Sequence, residues 1–352
     1  MDKKIAVILF NLGGPDRPES IEPFLINFFM DKNIIRAPYP VRFLLSRFIA
    51  WRRSRKEAGE SYGALGGKSP LLDNTKAQAQ ALEAALGHGF KVFVTMRYWH
   101  PMADEVVKEV KDYNPQQVIL LPLYPQFSTT TTKSSFEDWD RAVVSQGVHF
   151  QTQKICCYPF DDGFIKASCE NIRQAYDNFV AQHNRAPRLL FSAHGLPEKI
   201  IRDGDSYQWA CEESARLMAE HLAIQGLDWS ICYQSRVGPL KWIGPSTEEA
   251  LEKAAHDQVP VLIYPHAFVS EHVETLVEIE EEYREVAHEL GVPGFARVPT
   301  VSTHPAFIAG LANLVRQQID AGPFPNERNI RVCPLEFSEC CHGRAKAMTC
   351  CS

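Results

Sequence analysis

Five continuous apolar runs, each followed by a longer helix-like pattern, constrain this chain more than any other feature. IAVILF (5–10), KVFVTMRY (91–98) and QVILLPLYP (117–125) occupy the first half; RLLFSAHGLP (188–197) and PVLIYPHAF (260–268) occupy the second. The helical patterns include one carrying Phe24, Leu25, Phe28 and Phe29, then DEVVKEVKDY, DSYQWACEESARLMAEHL and a stretch near 247–256. A strand that is apolar at every position has no solvent face. Helices must then cover its sheet on both sides, which is the arrangement of parallel α/β sheets. A chain of 352 residues also exceeds one hydrophobic core. The expected fold class is α/β: two doubly wound domains with parallel sheets, meeting near 155–165. In such sheets functional loops follow the carboxyl ends of strands. NLGGP, RYWHP, YPQFSTTTT, SAHGLP and YPHAFVSEH would all sit there, which predicts one shared cleft.

A formal net charge of −6 gives no electrostatic footprint for nucleic acid. No apolar run approaches the ~20 residues that span a bilayer. The opening MDKKIAVILFNLGGP imitates a leader, but its apolar hexamer is short and NLGGP is a turn, so the expected location is cytoplasmic. Residues 36–56, RAPYPVRFLLSRFIAWRRSRK, carry seven basic side chains and no acid among Phe43, Leu44, Leu45, Phe48, Ile49 and Trp51. The arginines scatter around a helical wheel. Two readings stay open: a partly buried helix with a basic end, or a greasy basic surface that meets a membrane or guards an apolar site.

SEHVETLVEIEEEY (270–283) follows an expected strand and opens a helix. Glu271, Glu274, Glu278 and Glu282 recur at steps of three and four and share one expected face, opposite Val273, Leu276 and Val277. Like charges at this spacing repel by roughly 0.2–0.5 kcal/mol per pair. Either the face is solvated, or it is a track for cations or protons in which a metal or base offsets the repulsion. His272 beside Glu274 suits the second reading, since imidazole and carboxylate together serve divalent metals and proton transfer. His194 in FSAHGLPEK stands at the end of a strand, where a histidine is structural or functional. RYWHP and YPQFSTTTTKSS supply an arginine, aromatics and hydroxyls. In YQSRVGPLKWIGPST (233–247) two Gly-Pro turns flank Trp242, an aromatic able to wall a flat apolar ligand. No GxGxxG, P-loop or GxSxG occurs.

These segments together resemble the ferrochelatases, which insert ferrous iron into a porphyrin. NLGGP, GGKSPL (66–71), RYWHP, LYPQFSTTTT, LFSAHGLP, YQSRVGPLKWIGP and AFVSEHVETLVEIEEEY carry the resemblance nearly end to end. It implies two Rossmann-like, chelatase-like domains with porphyrin between them: 1–155 with a porphyrin lip, 156–325, and a cysteine-rich tail 326–352. It implies His194 as the active-site histidine, Glu274 facing it, and Glu278 continuing a polar track with His272 alongside. Trp242 would line the macrocycle pocket, with Tyr124, Arg97 and Ser128 in active-site loops and Ile35 in the lip. The substrates implied are ferrous iron and protoporphyrin, since the first loop has Leu12 where coproporphyrin-preferring members place tyrosine. The rivals are a chelatase for coproporphyrin or another metal, and a non-catalytic tetrapyrrole or iron–sulfur sensor protein. Peripheral contact with the inner face of a membrane and a homodimer also belong to the implied picture.

The reaction asks for these groups. A free-base porphyrin must pucker and lose two N–H protons, so it needs an apolar wall and a base near the ring centre. An imidazole, with an unperturbed pKa of about 6.5, suits the base. His194 and Glu274 are alternatively transient iron ligands.

Five of the ten cysteines, Cys333, Cys340, Cys341, Cys350 and Cys351, fall in the last twenty residues. In a reducing compartment that pattern points to metal or redox chemistry. The resemblance implies a [2Fe–2S] cluster on Cys333, Cys340, Cys341 and one cysteine of the second domain, with Cys157 preferred over Cys156 and Cys169. Structural zinc and unligated thiols are the alternatives.

Overall fold

The computed structural model describes residues 4–57, 61–236, 238–319 and 331–341. Its strands are β1 (Ile5–Asn11), β2 (Phe90–Met96), β3 (Gln117–Pro122) and β4 (Thr152–Lys154), then β5 (Arg188–His194), β6 (Trp229–Gln234), β7 (Val261–Pro265) and β8 (Phe295–Arg297). They form two separate four-stranded sheets with orders β2-β1-β3-β4 and β6-β5-β7-β8. Every pairing is parallel. The two halves thus repeat one doubly wound topology, and the expected α/β class with parallel sheets holds.

The apolar runs are the reason. All seven residues of β1 and all five of β7 are buried, because helices cover both faces. In the first sheet Ala6, Ile8 and Phe10 pack with Val106, Val107 and Val110 from the helix Ala103–Tyr113 and with Phe136 and Trp139 from Ser134–Ser145. In the second, Leu190, Cys232 and Ile263 pack with Leu251, Ala254, Ile279 and Tyr283. Each large aliphatic side chain so buried contributes about 1.5–3 kcal/mol; truncating Ile8 or Ile263 to Ala would cost about 2–5 kcal/mol. The strands end where prolines remove ladder donors: β3 stops at Pro122 and β7 at Pro265, short of 125 and 268.

Among the described residues the chain divides into two compact units. One holds 4–157 with 311–319, 331–332 and 341; the other holds 158–310 with 333–340. The first break falls at 157/158. The last helix, Pro305–Ile319, divides between the units instead of lying wholly in the second as the boundary at 325 required. Its Phe307 packs against Tyr158 and Phe164, whereas Arg316 donates to the Ala85 carbonyl. The tail divides too, at 340/341.

Candidate functional site

β5 and β7 are neighbours in the second sheet but not in sequence. After β5 the chain moves out to β6; after β7 it moves the other way to β8. Loops leaving the two carboxyl ends therefore diverge and open the crevice typical of a topological switch point. His194 is the last residue of β5, and the loop after β7 leads into a π-helix, Glu274–Glu282.

The two residues meet: His194 Nδ1 lies 3.1 Å from Glu274 Oε2. His272 Nε2 lies 3.9 Å from the same oxygen. The His272 Nδ1 is 3.1 Å from the Ser270 carbonyl, which accepts its proton and leaves Nε2 turned to Glu274. His272 is buried, Glu274 partly so, and His194 is 38% exposed, so the imidazole is the reachable member. Burial on its own would raise the pKa of Glu274. The charges and hydrogen bonds of His194 and His272 outweigh it and hold the carboxyl well below its usual range.

Glu278 behaves oppositely. Burial, then the charge of Glu274, raises its pKa, although hydrogen bonds oppose the shift. Ser235 Oγ donates to Oε2 at 2.7 Å, Gln234 Nε2 to Oε2 at 3.2 Å, and Tyr283 Oη to Oε1 at 3.2 Å. Ser235 takes a left-handed φ of +61°, a strained geometry for a residue with a side chain, immediately after β6. Two carboxylates four residues apart thus have their pKa values pushed in opposite directions, the usual mark of divided acid–base roles. Ile279 and Tyr283 anchor the other face of this segment in the core.

The loop carrying Trp242 is stitched to the loop after His194. Gly195 N–H donates to the Gln234 carbonyl, Glu198 N–H to Lys241 and Ile243 N–H to Leu196. A Cβ at Gly195 would lie 2.7 Å from the Gln234 oxygen and 3.4 Å from the Trp242 ring, so only glycine allows this approach. The indole Nε1 of Trp242 is buried without a hydrogen-bond partner among the described residues.

The acidic stripe is shorter than expected. Glu271 precedes the helix and turns instead to Arg297 and Thr300, and Glu282 is exposed. Only Glu274 and Glu278 face His194 and Ser235. Sequence reasoning missed Ser235, Gln234 and Tyr283; the sole available signal was a polar pair at the carboxyl end of a strand.

The remaining site residues lie in the first unit. Arg97 NH2 is 3.1 Å from Asp31 Oδ2, and Arg97 Nε donates to Ser134 Oγ at 2.7 Å. Tyr98 and Ser134 also donate to this buried Asp31, which the sequence reading did not single out. Burial pushes the Tyr124 hydroxyl pKa up. Ser128 Oγ caps a short π-helix, Thr129–Lys133, by accepting from the Thr130 N–H. Ile35 is half-buried in the turn after the helix Ile21–Met30.

Among the cysteines, Cys156 and Cys341 are joined as a disulfide, with Cα atoms 5.9 Å apart, and Cys157 lies beside this pair in sequence. Cys333 and Cys340 are buried. Burial pushes the Cys169 thiol up to about 12, and its Sγ donates to the Met218 carbonyl. Cys350 and Cys351 lie outside the described residues. Among the described residues no group of three or more His, Cys, Asp or Glu is placed to hold a metal ion.

The sequence profile of the family described as Ferrochelatase matches residues 4–319. A ferrochelatase of Caulobacter vibrioides is 50% identical over 328 residues, covering 92% of each chain. One of Wolbachia sp. subsp. Drosophila simulans is 50% identical over 315 residues, covering 88% of this chain and 98% of that one. Among solved structures, SirB from Bacillus subtilis with Fe3+ superposes with a TM-score of 0.50 at 11% identity, covering 90% of this chain and 95% of that one, a likeness of fold.

Proposed function

The chain belongs to the ferrochelatase family of metal chelatases, which are lyases, and from that premise we propose that it inserts ferrous iron into protoporphyrin IX with release of two protons, using His194 as the proton acceptor. The observation that carries this reading is the contact between His194 and Glu274 at the switch point of the second sheet.

Iron replaces two pyrrolic protons. A neutral His194 that donates its Nδ1–H to Glu274 presents the Nε2 lone pair as acceptor. Glu274, kept ionised, stabilises the imidazolium that results, and His272 backs the same carboxylate. Glu278 is the proton carrier of the pair, because burial and the neighbouring charge of Glu274 raise its pKa and favour its protonated form. The second reading, His194 and Glu274 as transient iron ligands, uses the same Nε2, since a carboxylate that accepts the Nδ1–H is also the usual support of a metal-bound imidazole. Trp242 serves as one wall for the macrocycle, whose binding energy supports puckering. In the first unit Arg97, fixed by Asp31 and Ser134, supplies a positioned charge; Ile35 adds apolar contact, and Tyr124 and Ser128 order the loop. Leu12 in the first loop favours protoporphyrin over coproporphyrin.

The helix Tyr39–Glu57 exposes Tyr39, Val41, Leu44, Leu45, Phe48 and Trp51 among its arginines. We assign it as the lip that covers porphyrin and touches a membrane peripherally, from the cytoplasmic side. No helix among the described residues is long and apolar enough to cross a membrane.

For the tail, a [2Fe–2S] cluster asks for four thiolates, and Cys333, Cys340 and Cys341 with one further cysteine would supply them once the Cys156–Cys341 bond is reduced. We take Cys156 ahead of Cys157 as that fourth ligand, because it reaches Cys341, and when bound the cluster would supply an iron–sulfur redox centre. No step of chelation is routed through it.

The experiment is anaerobic incubation of the protein with ferrous iron and protoporphyrin, following heme absorption, with coproporphyrin in parallel. Heme formation with protoporphyrin preferred supports the assignment. Turnover of coproporphyrin alone transfers it to that substrate, and no turnover of either refutes it.

A further inference from the structure

Arg297 is the last residue of β8 and reaches the π-helix segment through its guanidinium. Its side chain is only 10% exposed, so its charge requires partners. It has two, on opposite sides of the catalytic carboxylates in sequence. Arg297 NH1 donates to Glu271 Oε1 at 3.0 Å and Oε2 at 3.1 Å, and Arg297 Nε donates to Glu280 Oε2 at 2.8 Å. Glu271 in turn accepts from the Thr300 N–H at 2.9 Å and from the Thr275 hydroxyl at 2.6 Å, and Thr275 Oγ1 accepts from the His272 N–H. At the other end Arg284 donates to Glu280 and to the Phe295 carbonyl, doubling the tie to β8.

A planar guanidinium can hold two carboxylates in fixed directions at once; an ammonium cannot. Here the two held carboxylates bracket positions 272, 274 and 278. A π-helix is a rare, locally underdetermined backbone that persists only where its surroundings enforce it. We propose that Arg297 is a positioning residue: by bridging Glu271 and Glu280 it fixes the register of the π-helix and so holds Glu274 against His194 and Glu278 against Ser235. This inference rests on the chelatase reading of those residues. Misplacing a reacting group by about 1 Å can cost on the order of 100-fold in rate. Removing a clamp that touches no substrate should therefore lower kcat and leave porphyrin binding alone.

The test measures wild-type, Arg297→Met, Arg297→Lys and Glu280→Gln proteins in the same iron–protoporphyrin assay, with rates divided by the folded fraction from circular dichroism. Amide hydrogen exchange over 271–282 is followed in parallel. The expected result for Arg297→Met is a kcat lowered tenfold or more, a porphyrin KM within twofold of wild type, and faster exchange confined to 271–282. Arg297→Lys should recover part of kcat, since its single ammonium reaches one carboxylate, and Glu280→Gln should fall between wild type and Arg297→Met. A normal kcat per folded molecule in Arg297→Met overturns the proposal, as does a loss that appears in KM. A wild-type protein that makes no heme would instead refute the underlying chelatase assignment, and the exchange data would still report whether Arg297 holds the helix.

Discussion

One carboxylate oxygen, Oε2 of Glu274, stands 3.1 Å from His194 and 3.9 Å from His272, so a single acid serves two imidazoles drawn from segments about 80 residues apart. The acid is fixed as an anion, and the exposed imidazole is oriented by it. Glu274→Gln should then lower heme formation about 100-fold, the scale of a positioned acid–base partner, with porphyrin binding within a few-fold of wild type. Steady-state kinetics and fluorescence quenching of bound porphyrin check this.

The same carboxylate makes a stability prediction. Its folded pKa lies below the unfolded value, about 4.3 for Glu. Its contribution is therefore present above that unfolded value and lost as pH falls through the folded one. Urea midpoints of wild type and Glu274→Gln should differ in favour of wild type more at pH 6 than at pH 3.5. A constant difference would contradict the ion-pair account.

Glu278 carries the opposite sign. Its raised pKa means that the fold favours the neutral acid, so stability is lost as pH rises from the unfolded value through the folded one. Glu278→Gln should have a urea midpoint at pH 8 equal to or above that of wild type, together with turnover lowered tenfold or more and an unchanged porphyrin KM. A fallen midpoint with intact turnover would make Glu278 a structural acid.

Cys156 and Cys157 are adjacent yet differ in surroundings, since only Cys156 meets Cys341. Anaerobically purified Cys156→Ser should be colourless and lack iron and sulfide, while Cys157→Ser keeps red-brown visible absorption. Colour lost only in Cys157→Ser would restore the assignment made from the sequence, and a colourless zinc-containing wild type would replace the cluster by zinc.

The helix Tyr39–Glu57 should sediment the protein with anionic phospholipid vesicles, less so at high salt. Leu44→Glu with Phe48→Glu should abolish cosedimentation.

The fold was legible because β1, β3 and β7 are nearly continuous apolar runs buried on both faces, whereas β4, Thr-Gln-Lys, carries no such pattern. His194 and Glu274 were singled out by the resemblance of SAHGLP and HVETL to the ferrochelatases, while their position at and beyond the ends of strands left a structural reading open. The Glu271 direction was not legible: a spacing of three and four presumes one regular helix, but the chain is irregular through 272, and a guanidinium 26 residues away captures the side chain. Ser235, whose role depends on a left-handed backbone, and Asp31, whose partners come from Arg97, Tyr98 and Ser134, left no periodic trace. Cys156 and Cys157 differ only in which side chain meets the returning tail, a tertiary fact.

The most direct test replaces the imidazole alone. His194→Ala should bind protoporphyrin within a few-fold of wild type by fluorescence quenching and form heme from ferrous iron at least 100-fold more slowly. Turnover near the wild-type rate in that variant would contradict the assignment of His194 as the group that takes the porphyrin protons.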